Sequence, residues 1–324
     1  MKERLDYIDW AKGILIILAV IGHIWQAGSV HNYIYAFHMP AFFVISGMLM
    51  RYTKAYEKRY FSFLIDKSYA FGVPFLFFEA LGVLTDIIRH GVTLNIKGYT
   101  FNTVSLLYND KNMWFIVALF LIEAIFCAAK KLLKNDWAVG TFCLVMVALY
   151  FVFPQSKSSY VQTIKQCMHY MLFFAAGFYA KPLFEKRSKL CTGVAVLIPV
   201  IVSAIFGKSQ AMTRSLESTA FVISGFAGTY AVLQLGKYAV TKEYSRLVKA
   251  AGRNSMTIYG THHIIYAAVG AILGITDYAT TPIWAGLIML FVVLAAEPPI
   301  IYAINRWLPF LVGKRYKKQP KAQA

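Results

Sequence analysis

A lysine and a histidine, Lys12 and His23, stand eleven residues apart in the first apolar segment of the chain. At about 100° per residue this separation is close to three helical turns, so both side chains project from nearly one face, roughly 16 Å apart along the axis. A cation and an imidazole are both costly to hold in lipid. The pair is therefore either a topology anchor with a structural histidine or two functional residues on one helix face.

Further imidazoles and carboxylates fall within apolar segments, where each needs a partner or a water-filled cavity. They are His38, Glu79, Glu123, His169, His262, His263 and Glu297. Each one alone fits a hydrogen-bonded structural role, but their concentration favours a polar cavity that handles protons, ions or a hydroxylated substrate. No HxxxH or HExxH pattern occurs, so we expect no metal centre.

The composition is that of a membrane protein. The chain has 324 residues, of which 58% are hydrophobic and 15% charged, and apolar runs long enough to cross a bilayer recur along its length. A net charge of +18 on a soluble protein would suggest nucleic acid as a partner. Here the basic residues lie in short connections between apolar runs, so orientation in a membrane explains them better and no nucleic-acid partner is expected. The scattered cysteines indicate neither a disulfide framework nor a zinc site.

Hydropathy predicts ten spans in a single domain, 1–313, followed by a basic cytoplasmic tail, 314–324. The spans are roughly 10–28, 32–50, 68–89, 112–131, 137–153, 165–181, 190–207, 217–237, 256–274 and 282–304. With the N-terminus inside, 26 of the 33 Lys and Arg residues fall in cytoplasmic connections and seven in outer ones. This bias predicts an all-α integral membrane protein, a bundle of about ten transmembrane helices with both termini in the cytoplasm (N-in/C-in). The polar connection at 90–111 is either a lid over an outward cavity or a plain loop.

Six stretches, in order along the chain, resemble the pattern of the membrane-bound acyltransferase family 3, and within it the fucose 4-O-acetylase-like branch. They are RLDYIDWAKG with the GH that ends at His23, then FHMPAFFVISG, MWFIVALF, YMLFFAAGF, GRNSMTIYGTH and NRWLPFLVG. Each match is short, and the specificity of the resemblance comes from their order over the whole chain.

The resemblance implies a function. Family members move an acyl group, usually acetyl from acetyl-CoA, onto a hydroxyl of an extracytoplasmic or lipid-linked glycan. A chain similar to them is expected to be a multi-pass O-acetyltransferase of a bacterial cell membrane. Its expected partners are acyl-CoA, a glycan or lipid-linked sugar acceptor and the lipid bilayer, with acetyl-CoA as a donor substrate and no permanently bound cofactor.

The resemblance also assigns the donor site. The family's first helix carries a basic residue, more often arginine, eleven positions before a histidine, and those positions are Lys12 and His23 here. Many relatives have an arginine-rich run before the proline of the third helix. In this chain Lys67 is the basic residue of that run, and Lys58 and Arg59 lie just before it. We expect Lys12, Lys58, Arg59 and Lys67 to contact the coenzyme.

Transfer to a sugar hydroxyl needs a general base within hydrogen-bond reach, because the neutral hydroxyl is a poor nucleophile. An imidazole suits that role, so we expect His23 to be the base, with His262 and Glu297 as further catalytic candidates. The oxyanion that develops on the thioester carbonyl needs donors, for which Ser46, Asn254, Ser255 and Tyr259 are candidates. The residues expected to bind substrate are His38, Trp114, Asn254, Ser255 and Tyr259.

Two other functions fit parts of the sequence. An exporter of a glycan or lipid precursor would suit ten spans with midplane carboxylates, although transporters usually show an inverted repeat and none is visible here. A structural or signalling membrane protein without catalysis is the third interpretation, and the concentration of histidines argues against it.

Overall fold

The computed structural model describes residues 5–90, 113–154, 159–206 and 214–314. Those ranges are helical, with no strand among them. The α-helices are α1 (Asp6–Ile24), α2 (Gly28–Tyr35), α3 (His38–Thr53), α4 (Tyr60–Lys67), α5 (Val73–His90), α6 (Trp114–Leu133), α7 (Asp136–Val152), α8 (Ser159–Tyr179), α9 (Lys181–Glu185), α10 (Lys189–Phe206), α11 (Arg214–Ala239), α12 (Ser245–Arg253), α13 (Ser255–Ile272) and α14 (Ile283–Trp307). The all-α prediction is confirmed.

Helices lie over each of the ten predicted ranges, although some ranges contain a break. In the described part of the chain, five helical segments are long and apolar enough, by length and composition, to cross a membrane. They are Asp6–Ile24, Gly28–Thr53, Tyr60–Gly82, Thr219–Ala239 and Ile283–Trp307. Asp136–Val152 and Lys189–Ile205 are apolar but shorter. The polar stretch 91–112 and the tail from residue 315 lie outside the described residues.

The first helix packs against α12 through glycines. A Cβ on Gly13 would overlap the carbonyl oxygen of Val248, and a Cβ on Gly252 would overlap that of Asp9. Only a residue without a side chain lets two helix backbones approach so closely. An ion pair of 2.8 Å between Lys249 and Asp6 joins the same two helices. The contact therefore fixes α12 beside the first two turns of α1.

A second glycine contact joins α3 to α8. A Cβ on Gly47 would overlap the carbonyl oxygen of Phe174, and a Cβ on Gly177 would overlap that of Val44. Phe43, Phe174 and other fully buried apolar side chains surround this crossing and form the largest core cluster. Both glycines belong to stretches that carry the family resemblance, so these stretches hold the bundle together as well as lining its interior.

Large apolar side chains are exposed on the outer helices, as expected for a surface that faces lipid rather than water. Phe291 of α14 is 72% exposed, and Trp137, Leu149 and Ile201 on α7 and α10 are also exposed. Two helical segments depart from regular α-helical sequence or geometry. The chain from α4 to α5 passes through a π-helical turn, Ser68–Gly72, and α14 continues through Pro298 and Pro299.

Candidate active site

One cavity of about 420 Å³ lies between α1, α3, α6 and α13. Basic side chains lie at one end of it and imidazoles at the other. Its central wall is apolar and aromatic, with Phe42, Phe115 and Leu119 among the lining residues. A long, thin ligand with one anionic end and one reactive end fits this distribution of charge.

The contacts of α1 with α12 and α13 show how the two ends of the cavity are placed along these helices. Gly252, near the end of α12, meets Asp9 and Gly13 of α1, so Lys12 lies level with the end of α12. Further along the first helix, the ring centroid of His23 lies 5.3 Å from that of His262 on α13. The chain therefore runs from the basic end towards the imidazole end in both α1 and α13.

The basic end holds more cations than anions. The described lining residues include the four basic residues Lys12, Lys67, Arg253 and Lys314, against one carboxylate, Glu123. Lys67 pairs with Glu123 at 2.5 Å, and the Glu123 side chain is only 4% exposed. This end of the cavity is therefore electropositive even with its ion pair formed.

An amide network holds Lys314 at the same end. Its Nζ donates to Asn254 Oδ1 at 2.8 Å and to Asn305 Oδ1 at 2.7 Å, and Asn305 Nδ2 also donates to Asn254 Oδ1, at 2.9 Å. Asn254 follows the last residue of α12 and bonds back to the Ala250 carbonyl. Asn254 was predicted to bind substrate, but the structure places it behind Lys314 rather than on the cavity wall.

Tyr35 organises the imidazole end. Its Oη lies 3.3 Å from Nδ1 of His23, its ring stacks on His31 at 3.9 Å, and the ring of His38 meets its edge at 4.7 Å. His38 is buried and its Nδ1 donates to the Ile34 carbonyl at 2.9 Å. With Nδ1 of His23 directed at Tyr35, Nε2 is the nitrogen left for a ligand.

His262 and His263 lie beside His23 on α13. Their rings are 4.0 Å apart, and that of His263 is 4.5 Å from His23. His262 does not line the cavity; it is fully buried, and its Nδ1 donates to the Ile258 carbonyl at 2.7 Å. One nitrogen from each of His23, His262 and His263 lies within 4.8 Å of the others, so these residues could hold a metal ion.

Glu297 of α14 is hydrogen-bonded to α13, the helix that carries His262 and His263. Its Oε1 accepts a hydrogen bond of 2.8 Å from Thr261 Oγ1, next to His262, while its Oε2 is buried without a hydrogen-bond partner in the described chain. Glu297 is absent from the cavity lining. The carboxyl group is thus placed to affect the helix that carries the histidines rather than to touch a ligand in the cavity.

The structure brings seven of the predicted site residues to one cavity: Lys12, His23, His38, Lys67, Trp114, Ser255 and Tyr259, with Ser46 beside them. Ser46 donates its hydroxyl hydrogen to the Phe42 carbonyl at 2.9 Å, which occupies it as a donor. Lys58 pairs with Asp66 at 2.6 Å, and neither Lys58 nor Arg59 lines the cavity.

Sequence reasoning missed Arg253, Lys314 and Tyr35 as site residues, and it named His263 without giving it a role. Arg253 lies inside the GRNSMTIYGTH stretch, and Lys314 directly follows NRWLPFLVG. The resemblance drew attention to the asparagines and glycines of these stretches, and the adjacent cations were assigned only to topology. The contacts of Tyr35 and His263 with His23 depend on the way the helices pack together, which the sequence does not show.

Comparison with known proteins gives a consistent result. The family model described as "Acyltransferase domain" (Acyl_transf_3) matches residues 5–301. The chain is 23% identical to glucans biosynthesis protein C of Shigella dysenteriae serotype 1, over 95% of this chain and 93% of that protein. It is 22% identical, with the same coverage, to the proteins of that name from Escherichia coli O157:H7 and O1:K1. No solved structure matches the chain.

Proposed function

The chain belongs to the acyltransferase family 3, and from this premise we propose that it is a membrane O-acetyltransferase. The donor is acetyl-CoA, which binds from the cytoplasm. The acceptor is a hydroxyl of an extracytoplasmic or lipid-linked glycan, and His23 is the general base. The cell membrane of a bacterium is the proposed location, in keeping with the bacterial relatives.

The observation that carries this proposal is the single cavity that contains both Lys12 and His23. About three turns of α1 separate them, or roughly 16 Å. The pantetheine arm of coenzyme A is long and thin enough to span that distance. The nucleotide can therefore stay at the basic end while the thioester reaches the imidazole end.

The basic end suits the phosphates of the donor. Coenzyme A carries several negative charges, and charge-assisted hydrogen bonds from lysine and arginine are the usual means of holding phosphate. Lys12, Arg253 and Lys314 lie there together. Lys67 is held by Glu123 at 2.5 Å, so its role is first to neutralise that buried carboxylate. Lys58 and Arg59 lie outside the cavity lining, and the donor site that we propose does not include them.

The imidazole end suits the chemistry. The His23 lone pair takes the proton of the acceptor hydroxyl while its oxygen attacks the thioester carbonyl. The tetrahedral intermediate collapses by breaking the carbon–sulfur bond, and the imidazolium returns the proton to the departing thiolate. The products are the acetyl ester and coenzyme A. His262 is the next candidate for the base, because its ring lies 5.3 Å from His23.

Tyr259 is the proposed oxyanion donor. It lines the cavity, and its ring lies 6.5 Å from that of His262 and 5.8 Å from that of Phe115. Ser255 lies at the start of α13, one turn nearer the basic end, so it fits the donor better than the reacting carbonyl. Trp114 and His38 line the same cavity, and we assign them to the sugar acceptor because an indole can stack on a sugar ring and an imidazole can bond its hydroxyls.

The topology we propose has ten spans and both termini in the cytoplasm. The distribution of lysine and arginine supports it, with 26 of 33 on one side. The same topology puts the basic end of the cavity at the cytoplasmic face, where acetyl-CoA is found. The glycan as acceptor is supported by the relatives, which are named glucans biosynthesis protein C.

The test is transfer of labelled acetyl from acetyl-CoA to a panel of glycan acceptors by the purified protein. We expect label on an acceptor only when protein, donor and acceptor are all present, with release of one coenzyme A per ester formed. A protein that moves a glycan across vesicles but transfers no label would be an exporter, and the proposal would be wrong.

A further inference from the structure

Three imidazoles from two helices meet at one end of the cavity: His23 of α1, and His262 and His263 of α13. One nitrogen of each lies within 4.8 Å of the other two. We propose that these side chains form a binding site for a divalent transition-metal ion such as Zn²⁺, and that its occupancy blocks acyl transfer. The site shares His23 with the proposed reaction. Its other two ligands, His262 and His263, are not among the residues proposed above to bind the donor or the acceptor.

The hydrogen bonds of two of the histidines leave a nitrogen available to a ligand. His262 Nδ1 lies 2.7 Å from the Ile258 carbonyl. Because a carbonyl only accepts, Nδ1 carries the hydrogen and the lone pair is on Nε2. His263 Nδ1 lies 2.7 Å from Tyr266 Oη. In both residues Nε2 is buried and has no hydrogen-bond partner among the described residues.

This pattern is the one that metal-binding histidines show. A ligating imidazole usually uses its other ring nitrogen to bond a carbonyl or another polar group, which fixes the ring and the tautomer. Here the Ile258 carbonyl and the Tyr266 hydroxyl hold the outer nitrogens of His262 and His263, and Tyr35 Oη lies 3.3 Å from Nδ1 of His23. Each of the three rings thus has a supporting contact on the side away from the proposed ion.

The three ligand nitrogens must move slightly closer together to bind one ion. Zinc bonds imidazole nitrogen at about 2.0–2.1 Å in tetrahedral geometry, which puts ligand nitrogens roughly 3.3 Å apart. A separation of 4.8 Å therefore needs an approach of about 1.5 Å, within the reach of imidazole rotation. Three nitrogen donors select Zn²⁺, Cu²⁺ or Ni²⁺ over the oxygen-preferring Mg²⁺ and Ca²⁺. Since His23 lines the cavity, the fourth position opens into it and takes water.

Occupancy has a consequence that rests on the proposed function. A lone pair that coordinates a metal ion cannot accept the proton of an acceptor hydroxyl. The ion therefore removes the general base without displacing acetyl-CoA from the basic end of the cavity, which lies about three turns away along α1. Zinc inhibition is accordingly expected to lower kcat rather than raise the KM for acetyl-CoA.

Binding is tested without any substrate. The purified chain is stripped with a chelator and titrated with ZnCl₂ against a chromophoric zinc indicator. We expect one Zn²⁺ per chain. His263→Gln and His23→Gln should each bind zinc at least about tenfold more weakly, because losing a metal ligand should lower the affinity at least as much as losing an outer-shell hydrogen bond does. His169→Gln is the matched control, because His169 packs against Tyr150 and Tyr170 outside the cluster.

Folding of each variant is checked by gel filtration and thermal unfolding. No bound zinc in the wild type, or equal affinity in His263→Gln and the wild type, would overturn the site. If His263→Gln does not fold, Co²⁺ replaces the variant as the probe: intense visible bands of a tetrahedral nitrogen site support the proposal, and their absence refutes it.

The block on transfer is measured separately as the zinc concentration that halves each variant's own metal-free rate. We expect reversible inhibition of the wild type, restored by chelator, and at least about tenfold lower zinc sensitivity in His263→Gln. Stoichiometric zinc without inhibition would overturn the block. A metal-free protein that transfers nothing would contradict the proposed function instead, while the zinc stoichiometry would still decide whether the site exists.

Discussion

Lys12 and His23 line one cavity from the same face of α1, and each lies at a different end of it. The apolar residues Ile16 and Ala19 lie between them on that face and also line the cavity. Along this face the helix carries a cation, then apolar side chains, then an imidazole. Among the described residues no packed wall separates Lys12 from His23, so a ligand that touches Lys12 has a continuous path to His23.

Replacement of His23 by alanine tests the general base. We expect kcat for acetyl transfer to fall by roughly two to four orders of magnitude, the usual contribution of general base catalysis, with thermal stability retained. The measurement is steady-state transfer of labelled acetyl. His169→Gln, outside the cavity, should keep its rate. Near-normal turnover by His23→Ala would move the role to His262.

Replacement of Lys12 tests the donor site. Lys12→Ala should raise the KM for acetyl-CoA because one phosphate contact is lost, whereas Lys12→Arg should stay close to the wild type because it keeps the charge and adds a second donor for phosphate. The matched control is Lys189→Ala, an exposed lysine at the start of α10 outside the cavity lining. An unchanged KM in Lys12→Ala would leave this lysine as a topology anchor alone.

The ion pair between Lys67 and Glu123 should contribute to stability through charge compensation. Lys67→Met leaves a carboxylate that is 4% exposed without its counter-charge, which typically costs about 3–5 kcal/mol. The double variant Lys67→Met/Glu123→Gln removes both charges and should recover most of that loss. Thermal unfolding in detergent measures both. Losses that simply add in the double variant would show that the two side chains do not stabilise each other.

The glycines at the helix crossings should not tolerate a larger side chain. Gly47→Val is expected to lower the melting temperature sharply, because its Cβ would overlap the Phe174 carbonyl and force α3 and α8 apart. Gly140→Ala is the control, since nothing lies within 4 Å of a Cβ there, and its effect should stay within about 1 kcal/mol. Equal behaviour of the two variants would mean that the crossing is not close-packed.

Cysteine labelling tests the proposed topology. In a Cys191→Ser background, which removes the one exposed cysteine of the described chain, Lys54→Cys should react with an impermeant maleimide only after the membrane is opened. Thr280→Cys should react in intact cells. Lys54 follows α3 and Thr280 precedes α14, and both are exposed. Labelling of both from the outside would contradict the ten-span arrangement with cytoplasmic termini.

Relationships within one helix could be predicted from the sequence, because helical phase fixes them. The spacing of Lys12 and His23 predicted a common face, and both side chains line one cavity. The apolar runs likewise predicted where helices lie. Local breaks were missed: the second predicted span is divided between α2 and α3, and a π-helical turn follows α4. Hydropathy averages over these breaks because their side chains remain apolar.

Relationships between helices could not be predicted, because they depend on which helices become neighbours. The sequence does not show that Lys67 pairs with Glu123, or that the ring centroids of His263 and His23 lie 4.5 Å apart. Adjacent histidines on a helix gave no metal-binding pattern because the third imidazole comes from a distant part of the chain. Asn254 illustrates the same limit: its place in a motif suggested a ligand contact, but its hydrogen bond with Lys314 could not be predicted from the sequence.

The uninterrupted helix between Lys12 and His23 makes their relationship a matter of phase as well as distance. Inserting a single residue between them would lengthen the helix by only about 1.5 Å but would turn one side chain by about 100° relative to the other. One of the two would then leave the cavity, although no residue had been lost. Substitution of one apolar residue by another in this segment is therefore tolerable, but the number of residues between Lys12 and His23 must stay the same. An insertion of seven residues, close to two whole turns, would restore the common face and leave only the reach between the two ends changed.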